Sequence, residues 1–354
     1  MAQIYEKYWQ LTLEYSDCAS YEFNTCLQII IDFIDNNDTS TYSKELYQEL
    51  QKKVFSFNPK RDYASVRKSI NQFLKLGFVN NFLQSYHHKT KEFLSQKDIV
   101  IKKRIYSEIM YDNASFSRSV TNPCDYREIN FLIKTLEHCG SINKANLLAI
   151  MTQDVTQKSY LTYEELQAET KRILQLGFQD RKYNQVNYLW DICKNILVGI
   201  YEDSDYLTLE KPEYSENEKK ITKARDSYKQ TLYKYDLYNE SLALNDEILC
   251  FVESFKFPSL IASHIKPYIQ CEAHEQFDSN NGLLLSKNMD YLFDNGWISF
   301  TESGGIMCAD NLDFRLKEYL SQKKLDKKYL NEKRLEYLKY HREKIFDIHK
   351  SYRF

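Results

Sequence analysis

One stretch of this 354-residue chain, Leu260 to Phe300, restricts the fold more tightly than any other. The run Leu260 to Ile265 is short and apolar and stops at Pro267, the pattern of a strand ended by a residue that cannot continue a ladder. A polar loop, Gln270 to Asn281, carries Glu272, Glu275 and Asp278 and closes on Asn280-Asn281-Gly282, a turn signal ahead of a second apolar run, Leu283 to Leu285. From Ser286 onward Met289, Leu292 and Phe293 fall at helical spacing, which puts Asp290 and Asp294 on one face, four residues apart. The pattern predicts strand, loop, strand, helix.

The residues on this frame are those of phosphodiester hydrolysis, which needs a base to deprotonate water and a hard cation to take up charge. The run ASHIKPY, then FDSNNGLLLS and MDYLFDNGWISF, resembles the HNH (ββα-metal) nuclease domain of type II and related restriction endonucleases. YLKYHREKIF, Tyr337 to Phe346, is similar to the tail that follows that domain, so the resemblance covers roughly the last third of the chain. It implies that His264 is the general base and that Asn281 holds the loop and orients that histidine. Asp290 then takes the place of the last histidine of the triplet, a metal ligand. Mg²⁺ or Mn²⁺ is the expected cofactor.

The chain departs from the family pattern twice. Many HNH nucleases carry an acid just before the base, whereas here the residue is Ser263, which leaves Asp294, a backbone carbonyl or water to complete the metal sphere. Many also carry paired CxxC zinc knuckles. Here Ser286 and Met289 stand at the second and Cys250 alone lies near the first, so no structural zinc is expected. A lone histidine beside apolar residues is ordinarily a satisfied core residue, and it is the joint spacing of His264, Asn281 and Asp290 that argues otherwise. Asp294, near a helix end, reads equally as a ligand or a solvated charge, His274 as surface, and Asn280 as the turn residue.

The N-terminal two hundred residues read as helical and duplicated. Phe73-Leu74-Lys75-Leu76-Gly77-Phe78 recurs as Ile173-Leu174-Gln175-Leu176-Gly177-Phe178, with Lys44, Leu50 and Tyr63 matched by Lys144, Ile150 and Tyr163 at the same offset. Each copy predicts two helices, the second closed by a glycine in the left-handed C-cap conformation, and a hairpin is expected from Phe78 to Tyr86. That order resembles a winged helix-turn-helix, with ordinary helical-bundle packing as the alternative. In a winged helix the second helix enters the major groove, presenting Ser65, Arg67, Lys68 and Asn71 in one copy and Glu164, Gln167, Lys171 and Arg172 in the other. Each of these is otherwise a solvated surface residue.

The predicted architecture is therefore α+β and predominantly helical. Two winged-helix-like units, 1–115 and 116–200, precede a linker and connecting helix, 201–245, and a ββα-metal domain with a basic helical tail, 246–354. Tyr201 to Glu218, acidic and holding Pro212, reads as the linker. Lys219 to Asp246, with Ile221, Ala224, Tyr228, Leu232 and Tyr235 at helical intervals, reads as a helix that spaces the two parts.

The formal charge of -2 conceals a basic end: after Asp310 there are 13 Lys or Arg against 7 Asp or Glu. Such a tail suits a polyanion as well as a solvated amphipathic helix, and within it His341 and Arg342 are the expected phosphate contacts. Eight cysteines without a CxxC pair suit a reducing cytoplasm. Met1 to Cys18 lacks the pattern of a signal peptide, and the longest apolar run, Leu27 to Ile34, is cut by Asp32, so no membrane association is expected. The expected activity is sequence-specific cleavage of double-stranded DNA, in a restriction system with a cognate methyltransferase. A homodimer or transient dimer on DNA would cut both strands, and cleavage outside the recognition site, as in type IIS enzymes, is an extension. The alternatives are a modification-dependent nuclease that reads a methylated base and a DNA-binding regulator with a degenerate nuclease fold.

Overall fold

The computed structural model describes residues 9–60, 62–178, 185–210 and 226–346. The chain divides into two compact units, Met1–Glu210 and Lys211–Phe354. The first is mainly helical, with α1 (Tyr21–Asn36), α2 (Lys44–Phe57), α3 (Tyr63–Lys75), α4 (Thr90–Ser95) and α5 (Ile99–Asn113). These are followed by α6 (Glu128–Cys139), β1 (Ser141–Asn143), α7 (Lys144–Ile150), α8 (Tyr163–Gln175), α9 (Val186–Asn195), β2 (Ile200–Asp203) and β3 (Tyr206–Leu209). Short polar side chains start the helices: Ser20, Ser43, Asp62 and Asp98 each accept a backbone N–H of the first turn. Phe23, Phe73, Phe78, Phe93 and Tyr106 meet at tilted and edge-on angles in the core, with Phe78 4.7 Å from Phe93 and 4.8 Å from Tyr106.

The two Leu-Gly-Phe sequences end α3 and α8 in the same way, with Gly77 at φ 91° and Gly177 at φ 62°. Their surroundings differ. Leu74 and Leu76 are 0% exposed, whereas Leu174 is 42% and Leu176 60% exposed. Gly77 also lies so close to the end of α5 that a Cβ would come within 2.9 Å of the backbone of Ile109, Asn113 and Ala114. The hairpin expected after the first copy is a single bridge between Val79 and Tyr86. The second copy is instead accompanied by a three-stranded antiparallel sheet, in the order β1-β3-β2. The repeat thus preserves a helix and its cap without preserving a common sheet.

Residues 201–209, read as linker, form most of the β2–β3 hairpin, with Tyr201 opposite Thr208. The rest of that linker and the start of the expected connecting helix, residues 211–225, lie outside the described residues.

The second unit contains α10 (Ser227–Asn245), β4 (Ile261–His264), β5 (Gly282–Leu285), α11 (Lys287–Asp294), β6 (Ile298–Phe300), β7 (Ile306–Cys308), α12 (Phe314–Ser321) and α13 (Glu332–His341). β4 and β5 pair antiparallel, Ile261 opposite Leu285 and His264 opposite Gly282, and every position of both is buried. That burial follows from α10 and α11 packing against the hairpin. Ser286 caps α11 by accepting from the Met289 amide. Leu237 of α10, Leu260, Leu284, Phe293, Phe300 and Leu338 share the core of this unit. The helix expected to space the two parts is thus a wall of the second one. Among the described residues no helix is long and apolar enough to cross a membrane.

Candidate active site

His264 closes β4 and is 5% exposed. Its Nε2 lies 2.9 Å from the Gln276 carbonyl oxygen. A carbonyl can only accept, so Nε2 is the donor, and in the tautomer that this bond selects the ring's lone pair is on Nδ1. The ring is fixed by aromatic neighbours: Tyr233 of α10 stacks on it at 4.6 Å and 17°, and Tyr268 meets it edge-on at 5.7 Å and 82°. Contacts of this type contribute about 0.5–1.5 kcal/mol beyond the area they bury.

Asn281, fully buried, ties together two parts of the loop that follows the histidine. Its Oδ1 accepts from the Lys266 amide at 2.7 Å, while Nδ2 donates to the carbonyls of Lys266 at 3.2 Å and Glu275 at 3.3 Å. Its own carbonyl accepts from the Ile265 amide and from the Tyr233 hydroxyl, both at 3.0 Å. These side-chain hydrogen bonds of Asn281 go to Lys266, Cys271 and Glu275, and not to the imidazole; the asparagine holds backbone that the imidazole depends on. The same loop is clamped by Lys266 and Glu275, an ion pair of 2.5 Å. Burial pushes the Glu275 carboxyl up, but the Lys266 ammonium and the Glu272 amide outweigh it and the net pKa is lowered. Asn280 is the turn residue, with its side chain on Asp278 and Asn331.

Asp290 lies in the first turn of α11 and is 4% exposed. Asp294, the last residue of α11, is half-buried. The Oγ of Ser263 is buried with no hydrogen-bond partner among the described residues. Among those residues no three His, Cys, Asp or Glu side chains gather into a metal cluster. Oxygen donors of this kind, few in number, suit a hard divalent cation that retains several waters, and do not suit an ion that requires a full protein cage.

The C-terminal tail corrects one expectation outright. His341 is 1% exposed, stacked on Phe293 at 3.8 Å and 11°, with Nδ1 3.0 Å from Ser299 Oγ and Nε2 3.1 Å from the Phe293 carbonyl. Burial holds its pKa down at about 3, so it is a neutral core residue and not a phosphate contact. Arg342 donates to the Phe300 carbonyl at 2.9 Å, and its side chain is largely covered. Arg334, buried in α13, pairs with both oxygens of Glu240 at 2.6 and 2.7 Å and donates to the carbonyls of Tyr329 and Ser279. Part of the tail's positive charge therefore fastens α10 and the loop that ends at Asn281 together.

These features lie in a strand–loop–strand–helix unit with a buried histidine at the end of its first strand. Residues 250–301 match the HNH endonuclease family. The match covers both strands of the β4–β5 hairpin, α11 and β6. No curated protein matches the chain.

Of the residues expected to read DNA in the first unit, Arg67 and Lys68 are exposed on α3. Asn71 is half-buried, and its Oδ1 accepts from the Val120 amide at 3.0 Å, so it anchors a loop instead of presenting that oxygen to a base. On α8, Lys171 is exposed and Arg172 is paired with Glu169 at 2.7 Å. Sequence reasoning missed Tyr233 and the Glu240–Arg334 pair, since contacts between residues 31 and 94 positions apart have no local periodicity to announce them.

Proposed function

We propose that this protein is a divalent-metal-dependent DNA endonuclease of the restriction type, with His264 as general base. The observation that carries the reading is the state of His264: Gln276 accepts from Nε2, which assigns the ring's basic nitrogen to Nδ1, inside a segment that matches HNH endonucleases. On taking a proton from water, the imidazolium keeps its Nε2–H on the Gln276 carbonyl, a bond strengthened by the new charge. Tyr233 and the Asn281-bound loop keep the ring from turning during that transfer. The hydroxide formed attacks phosphorus in line with the 3′ oxygen, and the P–O3′ bond breaks to leave a 5′-phosphate and a 3′ oxygen that takes a proton from water to become a 3′-hydroxyl. Mg²⁺ or Mn²⁺, when bound through Asp290 with water and with Asp294 or Ser263 as further oxygens, supplies charge neutralisation at the phosphate.

The N-terminal unit supports a role in target recognition. The succession α6, β1, α7, α8 and then a β2–β3 hairpin joined to β1 in one antiparallel sheet is compatible with a winged helix in the second copy, with α9 inserted before the hairpin. Lys68, Lys171 and Arg172 are the side chains there that we assign to the DNA backbone. A single HNH site cuts one strand, so double-strand cleavage calls for two protomers on the DNA, and protection of the host genome calls for a cognate methyltransferase. We assign the protein to the cytoplasm, where its substrate would be met.

The test is incubation of supercoiled plasmid with purified protein in Mg²⁺, Mn²⁺ or chelator, followed by sequencing of the fragment ends. Metal-dependent nicking at discrete ends, abolished in His264→Ala while plasmid is still retained on a filter, is the expected result. Undiminished cutting by that variant overturns the role of the base, and random ends overturn the restriction reading.

A further inference from the structure

Between α2 and α3 of the first unit lies a cavity of about 500 Å³, within the range of sites that hold small molecules. Its lining has three chemical parts. Tyr42, Tyr47 and Tyr63 supply aromatic rings. Lys44, Lys52 and Arg67 supply positive charge, and no carboxylate is among the described residues that line it. Gln48 and Gln51 supply amides, which can both donate and accept. A ligand that satisfies all three parts is flat, edged with hydrogen-bonding groups, and anionic.

The rings are held in place from behind. Tyr63 stacks on Phe55 at 5.4 Å and 23°, and Tyr42 leans on Phe82 and Tyr47 at 6.2 and 6.5 Å. Phe82 itself sits at φ 58°, a left-handed conformation rarely taken by a bulky residue and one of the places where backbone strain is confined to a site. Tyr47 and Gln51 are buried, while Tyr42 and Tyr63 remain 39% and 45% exposed at the mouth. Burial pushes the Tyr47 hydroxyl well above its ordinary pKa, against the pull of the nearby Arg67 charge, so the ring stays a neutral phenol.

We propose that this cavity binds a single nucleotide, its base stacked on the tyrosines and read by the two glutamines, its phosphates carried by Lys44, Lys52 and Arg67. Base stacking on aromatic side chains tolerates any base because every base has a π face, and an amide pairs with the edge of an unpaired base in either direction. On the reading of the chain as a DNA nuclease, on which the choice of polymer rests, the nucleotide is one withdrawn from a strand. Arg67 then acts on a phosphate beside an extruded base, and not on a base edge in the major groove as the helix pattern suggested.

The experiment uses the full chain in chelator, so that binding is read without cleavage. Oligonucleotides carrying 5-iodouracil, single-stranded and as a duplex with the base mismatched, are irradiated with the protein and the linked peptide is mapped by mass spectrometry. Attachment to Tyr42, Tyr47 or Tyr63 is expected. The variant Tyr42→Ala/Arg67→Gln, altered at two exposed positions and checked for unchanged circular dichroism, is expected to weaken binding of the mismatched duplex about tenfold. Attachment only elsewhere in the chain, or unchanged affinity in the variant, overturns the proposal. Free 5-iodouridine monophosphate distinguishes the source: a cavity labelled by the monophosphate and never by the strand overturns the polymer assignment. Because no metal is present, failure here leaves plasmid nicking intact, and failure of nicking leaves this result intact.

Discussion

The phenol ring of Tyr233 lies flat against the imidazole of His264, 4.6 Å between centres and 17° from parallel, and its hydroxyl reaches the Asn281 carbonyl at 3.0 Å. One residue of α10 thus touches two of the three positions that the HNH resemblance singles out, His264 and Asn281. Replacement by leucine removes the stack and replacement by phenylalanine removes only the hydrogen bond. Tyr233→Leu is expected to lower the nicking rate about tenfold, equivalent to about 1.4 kcal/mol, and Tyr233→Phe to lower it less. Single-turnover nicking assays rank the two, and equal rates in both variants and the parent would remove Tyr233 from the site.

Gly282 makes room for that tyrosine. A Cβ there would overlap the Tyr233 hydroxyl and press on Leu237. Gly282→Ala is expected to cost about 1–3 kcal/mol by overpacking and to slow nicking, since the ring must move off the histidine. Denaturant unfolding followed by tryptophan fluorescence measures the first, and a midpoint at or above that of the parent would contradict it.

The residue before the proposed base offers a gain-of-function test. Ser263 brings a buried hydroxyl oxygen where related nucleases bring a carboxylate. Ser263→Asp adds a harder, charged donor, so the Mg²⁺ or Mn²⁺ concentration for half-maximal nicking should fall, whereas Asp290→Ala should raise it sharply. Titrations of rate against metal that are superimposable for parent and both variants would place the cation elsewhere.

Two buried groups give the protein opposite responses to pH. His341 has its pKa lowered by burial from 6.5 to about 3, so an unfolded chain takes up a proton that the folded one refuses. Its contribution to stability is present above pH 6.5 and is lost as pH falls toward 3. Glu128 has its pKa raised by burial from 4.5 to about 7. Its contribution is present below pH 4.5 and is lost as pH rises through 7. Glu128→Gln should therefore stabilise the first unit at pH 8 relative to the parent, with little difference at pH 4.5. His341→Gln should flatten the acid limb of the second unit between pH 6.5 and 4. Hydrogen exchange followed by mass spectrometry reads each unit separately, and parallel pH profiles for parent and variant would refute either assignment.

The β4–β5–α11 portion was legible because its information is local: a proline that stops a strand, an Asn-Gly turn, a serine cap and apolar residues at helical spacing. The glycine ends of α3 and α8 were legible for the same reason. What escaped depends on distant partners. The acidic segment after Tyr201 forms a hairpin because β1, sixty residues earlier, gives β3 a neighbour. His341 had the composition of a phosphate contact, and only the meeting of α13 with Phe293 and Ser299 turns it inward. Asn71 was placed on the right helix, yet its carbonyl oxygen is claimed by Val120.

The place of α10 bears on how the second unit could be transplanted. A graft begun at residue 246, where the turn-and-strand signature opens, would leave behind the ring that steadies the imidazole and the carboxylate that neutralises Arg334. The portable cassette starts a full helix earlier, at Asp226, whose side chain caps that helix. A fusion that omits it would expose Leu284 and its neighbours to water and should precipitate before it could cut anything.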